Sequence, residues 1–369
     1  MEIDLAWFPL VLRERPPGRP LEARTAELEH LAGPAAGGTR LDRITRACEV
    51  LNKAALIASD CGLPALAHVL CHRQYELFEQ AKPWPPWAIK LAMQPLLNIA
   101  RQRIREENGG DSLTLLESLY AAARARTTVT FDGHLIDFGP LIATPEDHKA
   151  LCTLIWAALL ADGTRSLARA GRWSEAAARA ATHRGIGARL LDGRQAAIIA
   201  HLRENRPDNA IELVEQSLII EPWEYAVQDI LRVLCQSAAS IVTPAQTATM
   251  LATALSLVQT PDRPTTAART RIGITALDLA GTADTDQDNS LRAALIALAM
   301  TDAYAAYDVL THRPLSRCLT ASQSQPLHDL VRACGLRTGT IASQLRDQLM
   351  AAVTQSAATL TRELEQALR

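Results

Sequence analysis

The chain has 369 residues with 48% hydrophobic content, enough to bury large cores in two to three domains, which excludes disorder for the bulk of it. Its 38 basic and 40 acidic residues leave a formal net charge of -2, so it lacks the long-range field that generic nucleic-acid or anionic-membrane binding would use. Lysine occurs only at Lys53, Lys82, Lys90 and Lys149, and the bias to arginine and alanine suggests a GC-rich bacterial coding sequence.

Residues 1–39 are expected as an N-terminal arm. Pro16, Pro17, Gly18, Pro20, Gly33, Pro34, Gly37 and Gly38 punctuate it too often for a long helix, although 21–32 has room for a short one. Its apolar run from Leu5 to Leu12 follows Glu2 and Asp4, without the basic stretch or small-residue cleavage site of a signal peptide. Region 40–126 reads as two helical hairpins. Leu41, Ile44, Cys48, Leu51, Ala55 and Ala58 recur at the three- and four-residue spacing of an amphipathic helix, Gly62 stops it, and Pro64 opens the antiparallel partner through Leu66, Leu70, Leu77 and Phe78. The second hairpin starts at Pro86, is expected to kink at Pro95, breaks at Asn108 to Asp111 and returns from Ser112 to Arg126. Trp84 and Trp87 mark the corner between the hairpins, where large aromatics pack over a turn.

Thr127 to Phe131 and His134 to Phe138 flank Asp132-Gly133, the signature of a type I′ turn, so a β-hairpin insert is expected at 127–139. Thr144, Pro145, Glu146 and Asp147 then cap a new helix. Helices are expected through 145–260 and again through 264–369. The latter reads as an acidic loop from Thr282 to Ser290, an Ala-rich helix from Leu291 to Val309, breaks at Pro314 and Gly335 to Gly339, and a last helix with Ile341, Leu345, Leu349, Val353, Leu360, Leu364 and Leu368 on one face. Region 264–369 is expected as a C-terminal helical cap, and that stripe suits a terminal helix closing the end of the helical array or, as the alternative, a homo-oligomer contact.

Gly171-Arg172-Trp173-Ser174-Glu175-Ala176 is echoed 34 residues later by Asn205-Arg206-Pro207-Asp208-Asn209-Ala210, each marking a tight turn into a helix. Ala210, Val214, Ser217 and Pro222 match the small, large, small and proline positions of the tetratricopeptide family, and Gly171 and Trp173 match the glycine and aromatic of its inner turn. The central region therefore resembles that family. The first helices lack its early aromatic and His183 replaces a small residue. The resemblance implies an all-α fold of antiparallel helix pairs stacked as a tetratricopeptide-like solenoid, with one small β-hairpin near 127–138. In that family the first helix of each unit lines a groove for an extended peptide or partner helix. Carried over through Ala176 and Ala210, the groove residues are Arg165, Arg169, Asp192, Gln195 and Arg203, the arginines able to clamp a carboxylate.

Asp132, His134, Asp137, Asp147 and His148 are the densest set of potential acid–base or metal residues, yet each has a local account. Asp132 belongs to the turn, Asp147 to the helix start, and His134 and Asp137 point to opposite faces of a regular strand. His68 and His72 have the i,i+4 spacing that clasps zinc, but no HExxH or further carboxylate pattern accompanies them, so neither a metal nor a cofactor is assigned. His183 to Arg189 has the glycines of a phosphate-binding turn without the preceding strand. The seven cysteines are odd in number and never spaced CxxC, which argues against a disulfide framework or zinc module.

The expectation is a non-catalytic adaptor or regulator in a bacterial cytoplasm, binding a peptide or protein partner and neither nucleic acid nor membrane. Leu51 to Pro64 also resembles uncharacterised helical proteins linked with bacterial peptide natural-product genes, which implies an accessory role with a precursor peptide or its enzymes. The alternatives are an all-helical enzyme, which needs Asp137, Asp147 and His148 in one closed pocket, and a peptide-sensing transcriptional regulator, for which no basic recognition helix stands out.

Overall fold

The computed structural model describes residues 5, 7–34, 37–82, 84–106, 109–140, 144–281 and 285–367. They are mostly helical, with one two-stranded antiparallel ribbon. Two compact units divide the chain, and neither is continuous in sequence. The ribbon unit comprises 20–163 and 335–369, and the arm unit 1–19 and 164–334. Residues 1–39, expected as a single arm, are accordingly shared between the two.

The ribbon unit begins with α1 (Leu21–Ala32), α2 (Arg40–Asp60), α3 (Pro64–Glu79), α4 (Pro86–Arg105) and α5 (Gly109–Ala125). Thr39 starts α2 through a capping box: its hydroxyl accepts from Asp42 N at 3.2 Å while the Asp42 carboxylate accepts from Thr39 N at 2.7 Å. A buried Arg24–Asp60 pair, 2.8 Å apart, ties α1 to the end of α2. Trp84 is buried over the α3–α4 corner and donates its indole N–H to Phe78 O at 2.8 Å, as the turn reading expects. The expected break at Asn108 lies outside the described residues at 107–108; α5 starts at Gly109, ahead of Ser112.

Strands β1 (Thr128–Phe131) and β2 (His134–Asp137) pair with Val129 opposite Ile136 and Phe131 opposite His134. Asp132 and Gly133 have φ of 47° and 84°, the left-handed pair that a type I′ turn requires. Phe131, Ile136 and Phe138 are buried beneath the ribbon. Helix α6 (Pro145–Ala158) follows, capped by Thr144, whose hydroxyl accepts from Asp147 N at 3.1 Å. The helical run Pro145–Arg169 is, by length and composition, long and apolar enough to cross a membrane, with a mean hydropathy of 1.2 over a window that is half buried and carries Asp162 and Arg165.

The arm unit holds α7 (Thr164–Arg169), α8 (Trp173–Thr182), α9 (Asp192–Arg203), α10 (Pro207–Glu215), α11 (Pro222–Ala238), α12 (Pro244–Val258), α13 (Thr266–Ala280), α14 (Asp286–Ala299), α15 (Ala303–Thr311), α16 (Arg313–Arg317) and α17 (Ala321–Ala333). From α7 to α15 each helix packs on the next along most of the series, and α7, α9, α11, α13 and α15 also pack each on the following odd-numbered helix. The small and large repeat positions explain this closeness: Ala176, Ala210 and Val214 are fully buried and Trp173 nearly so. Arg194 locks the inter-helix turns, donating to Ser217 Oγ, Gly187 O and Leu213 O at 2.8–2.9 Å.

Three expectations about the C-terminal third need correction. The single helix expected from Leu291 to Val309 is two, α14 and α15, because Asp302 caps α15 by accepting from Tyr304 N and Ala305 N. Most of the expected acidic loop is helical instead: Thr285 and Asp288 form a capping box that starts α14 at Asp286, while 282–284 lie outside the described residues. The last helix, α18 (Ser343–Ala367), belongs to the ribbon unit and packs its Leu349, Val353, Leu360 and Leu364 stripe on α1, α2 and α3. The sequence assigns that stripe to a C-terminal cap spanning 264–369. It lies on α2 because α2 buries Ile44, Cys48, Val50, Leu51, Ala54 and Ile57, more of its circumference than α3 alone can cover.

Candidate functional site

From Trp7 to Gly18 the chain has no helix or strand, so its backbone groups must find partners elsewhere. Those of Leu10, Arg15 and Gly18 find them on the rest of the arm unit. The fully buried Gln195 on α9 addresses one residue with both ends of its amide: Oε1 accepts from Leu10 N at 2.7 Å, and Nε2 donates to Leu10 O at 2.8 Å and to Leu190 O at 2.7 Å. Phe8 and Leu10 are buried beside this contact, and the Arg271 guanidinium of α13 stands 5.2 Å over the Trp7 ring. One turn of α9 away, Asp192 accepts from Arg13 at 2.6 Å.

Farther along, Arg15 N donates to Pro264 O at 2.8 Å, just before α13, and its guanidinium lies 3.4 Å over the Tyr304 ring of α15. Gly18 then joins the start of α15. Its N–H donates to Asp302 Oδ2 at 2.8 Å and its carbonyl accepts from Ala303 N at 2.9 Å. A Cβ at Gly18 would stand 2.9 Å from Ala303 N, so only glycine fits that approach. Burial raises the Asp308 carboxyl above the usual carboxylate range, against the opposing pull of Arg271, which donates to it at 2.9 Å, and of Arg15. Acids and arginines thus alternate under the bound segment.

Of the residues expected to line a groove, three come together. Asp192 and Gln195 hold the chain's own segment, and Arg165 approaches the other Asp192 oxygen at 3.7 Å. Arg169 and Arg203 are exposed, Arg203 more than two turns of α9 beyond Gln195. Sequence reasoning missed Arg271, Asp302, Tyr304 and the bound segment itself. The helix-starting Thr301-Asp302 pair was the available signal for one of them.

The ribbon unit holds a second polar centre. At the ribbon turn, Asp132 Oδ1 accepts from Arg103 at 2.5 Å, and Oδ2 lies 2.9 Å from His72 Nε2 and 3.2 Å from His68 Nδ1. Burial alone would raise this carboxyl. The hydrogen bonds from Arg103 and His72, with the nearby positive charges, outweigh it and hold the pKa at about 2. Burial lowers the pKa of His72, whose ring stacks on His134 at 3.8 Å. Its Nε2–H therefore serves the carboxylate while its buried Nδ1 has no hydrogen-bond partner. Asp137, Asp147 and His148 are engaged separately, by Gly139 N, by Thr144 and by Ala123 O. His148 Nε2 donates to that carbonyl with the Cys152 sulfur 3.5 Å away, and burial pushes the Cys152 thiol upward. Among the described residues no group of three or more His, Cys, Asp or Glu side chains is placed to hold a metal ion.

No family model, curated protein or solved structure matches the chain. A functional reading must therefore come from geometry. The arm face offers a buried amide that reads backbone, a carboxylate that takes a guanidinium, an aromatic face that takes another, and a helix start that closes on a glycine.

Proposed function

We propose that this chain is a non-catalytic peptide- or protein-binding adaptor or regulator, acting through the face formed by the first helix of each antiparallel pair in the arm unit. On this reading α7/α8, α9/α10, α11/α12, α13/α14 and α15/α17 are units of a tetratricopeptide-like solenoid. The first-to-first packing from α7 through α15 is what stacked units require. The observation that carries the reading is the seat of residues 7–18 on α9, α13 and α15, with both backbone groups of Leu10 held by Gln195. Backbone recognition of that kind admits many side chains, as peptide-binding surfaces do. A bacterial cytoplasmic setting, with an accessory role beside a precursor peptide or its enzymes, is part of the same proposal and draws on the Leu51 to Pro64 resemblance.

Selection of a displayed 12-residue peptide library on the full chain tests it. Enriched peptides should lose binding to a full-length Asp192→Ala, Gln195→Ala variant that keeps its helical circular dichroism. If the same peptides are held equally by the variant, the face is misassigned.

A further inference from the structure

We infer that residues 7–18 are a built-in competitor for this face, and that the ligand they stand in for is an irregular, arginine-bearing segment of a partner protein. The inference rests on the peptide-binding reading and adds to it the chemistry of the ligand and its control. The bound arm specifies the ligand position by position. The residue held by Gln195 must supply both an N–H and a carbonyl, which admits any residue except proline. Three positions later a guanidinium meets the Asp192 carboxylate, and two positions after that a second lies on the Tyr304 ring. Eight positions after the residue held by Gln195, glycine is required by the close approach of Ala303 N. Glu14 and Pro16 are exposed, so these positions are free to vary.

The demand for cations comes from the face itself. With the arm seated, the Asp192, Asp302 and Asp308 carboxylates are buried, and arm guanidiniums meet Asp192 and the Tyr304 ring; lifting it would leave Arg165 and Arg271 as the face's own answering charges. Buried carboxylates favour a ligand that returns the arginines. The arm, tethered to its site, occupies it at high effective concentration, so a partner sees an apparent affinity reduced by the fraction of time the face is free.

The probe is a fluorescein-labelled peptide with the sequence of residues 5–19, titrated by anisotropy into three full-length chains: unaltered, Arg13→Glu with Arg15→Glu to loosen the arm, and the loosened chain with Gln195→Ala. The loosened chain should bind at least about tenfold more tightly than the unaltered one, and the added Gln195→Ala should remove that gain. Peptides with proline at the Leu10 position, or with alanine for both arginines, should bind at least about tenfold more weakly. Hydrogen exchange on the unaltered chain needs no variant: saturating peptide should strip protection from the Leu10 and Gly18 amides. Equal binding by the first two chains, with those amides still protected, overturns the competition and leaves the peptide-binding reading standing. Equal binding of the alanine peptide overturns the assigned ligand chemistry. A folded, loosened chain that binds neither this peptide nor any from the library overturns both. A dimer of the unaltered chain that the loosened variant loses would replace the partner protein by the arm of a second copy.

Discussion

At Asp132 a left-handed backbone and an electrostatic hub coincide in one residue. Asparagine tolerates the same turn conformation, so Asp132→Asn isolates the charge from the backbone. The folded carboxyl, held at about 2, lies below its ordinary 3.8, so its stabilising contribution is complete above that ordinary value and is lost as pH falls toward 2. Thermal melts should show the Asn variant less stable at pH 7 by about 1–3 kcal/mol, because Arg103 loses its anion, with the gap narrowing between pH 4 and pH 2. A gap independent of pH would mean that the turn, not the charge, sets the cost. Gln195 is the matching case in the arm unit. Gln195→Leu keeps most of the volume but leaves Leu10 N, Leu10 O and Leu190 O without their partner, at a cost of about 1–3 kcal/mol in denaturant titration. Sequence spacing named both residues, Asp132 for its turn and Gln195 by repeat analogy. It could not name their partners: His68 and Arg103 are distant in the chain from Asp132, and Leu10 lies 185 positions from Gln195.

At the scale of elements, the Thr144 cap and the Asp132-Gly133 turn were legible because their chemistry is local, and the structure adds caps at Thr39 and Thr243 that the sequence reading did not name. Thr39, Thr144 and Thr243 each start a helix with the hydroxyl accepting from the third residue on, and the Asp132-Gly133 ribbon forms where two alternating runs meet. The α14–α15 break was overlooked because alanine and leucine continue the apolar pattern across it, and a cap competes with such a pattern only through one side chain. That makes the break testable. Asp302→Ala should lose about 1–2 kcal/mol from the cap of α15 and also release Gly18 N, whereas Asp302→Asn retains an acceptor and should lose less. Equal losses in the two variants, measured by thermal unfolding, would assign the effect to the charge instead of the hydrogen bonds. The α18 stripe illustrates the opposite ambiguity. Its period fixes the apolar face, but a face carries no address, and α2 happened to be the helix with uncovered apolar surface.

The chain folds with its ends inserted in the wrong order for a sequence reader: 1–19 complete a unit otherwise made of 164–334, and 335–369 complete one made of 20–163. Periodicity is a short-range signal, so it reveals helices and their faces but not which distant segment closes them. The arm makes this concrete. Its prolines and glycines mark it as irregular, and that same irregularity makes it read as an arm outside the helical body, although an irregular segment can be well held if other residues satisfy its backbone. Its hold is local and countable, which sets the rate at which it opens. Arg15 and Arg19 each precede a proline, where trypsin does not cut, so the Arg13–Glu14 bond is the cleavable arginine bond between residues 13 and 20. Arg13 is held by Asp192 in the closed arm, and cleavage there requires the arm to lift. In a full-length chain with Gln195→Leu and Asp302→Ala, two of the anchors are gone. Mass spectrometry should then detect loss of residues 1–13 about tenfold faster or more than from the unaltered chain, with cleavage at other sites unchanged. Unchanged release of residues 1–13 would mean that the remaining contacts, Arg13 with Asp192 and Arg15 with Tyr304, hold the arm by themselves.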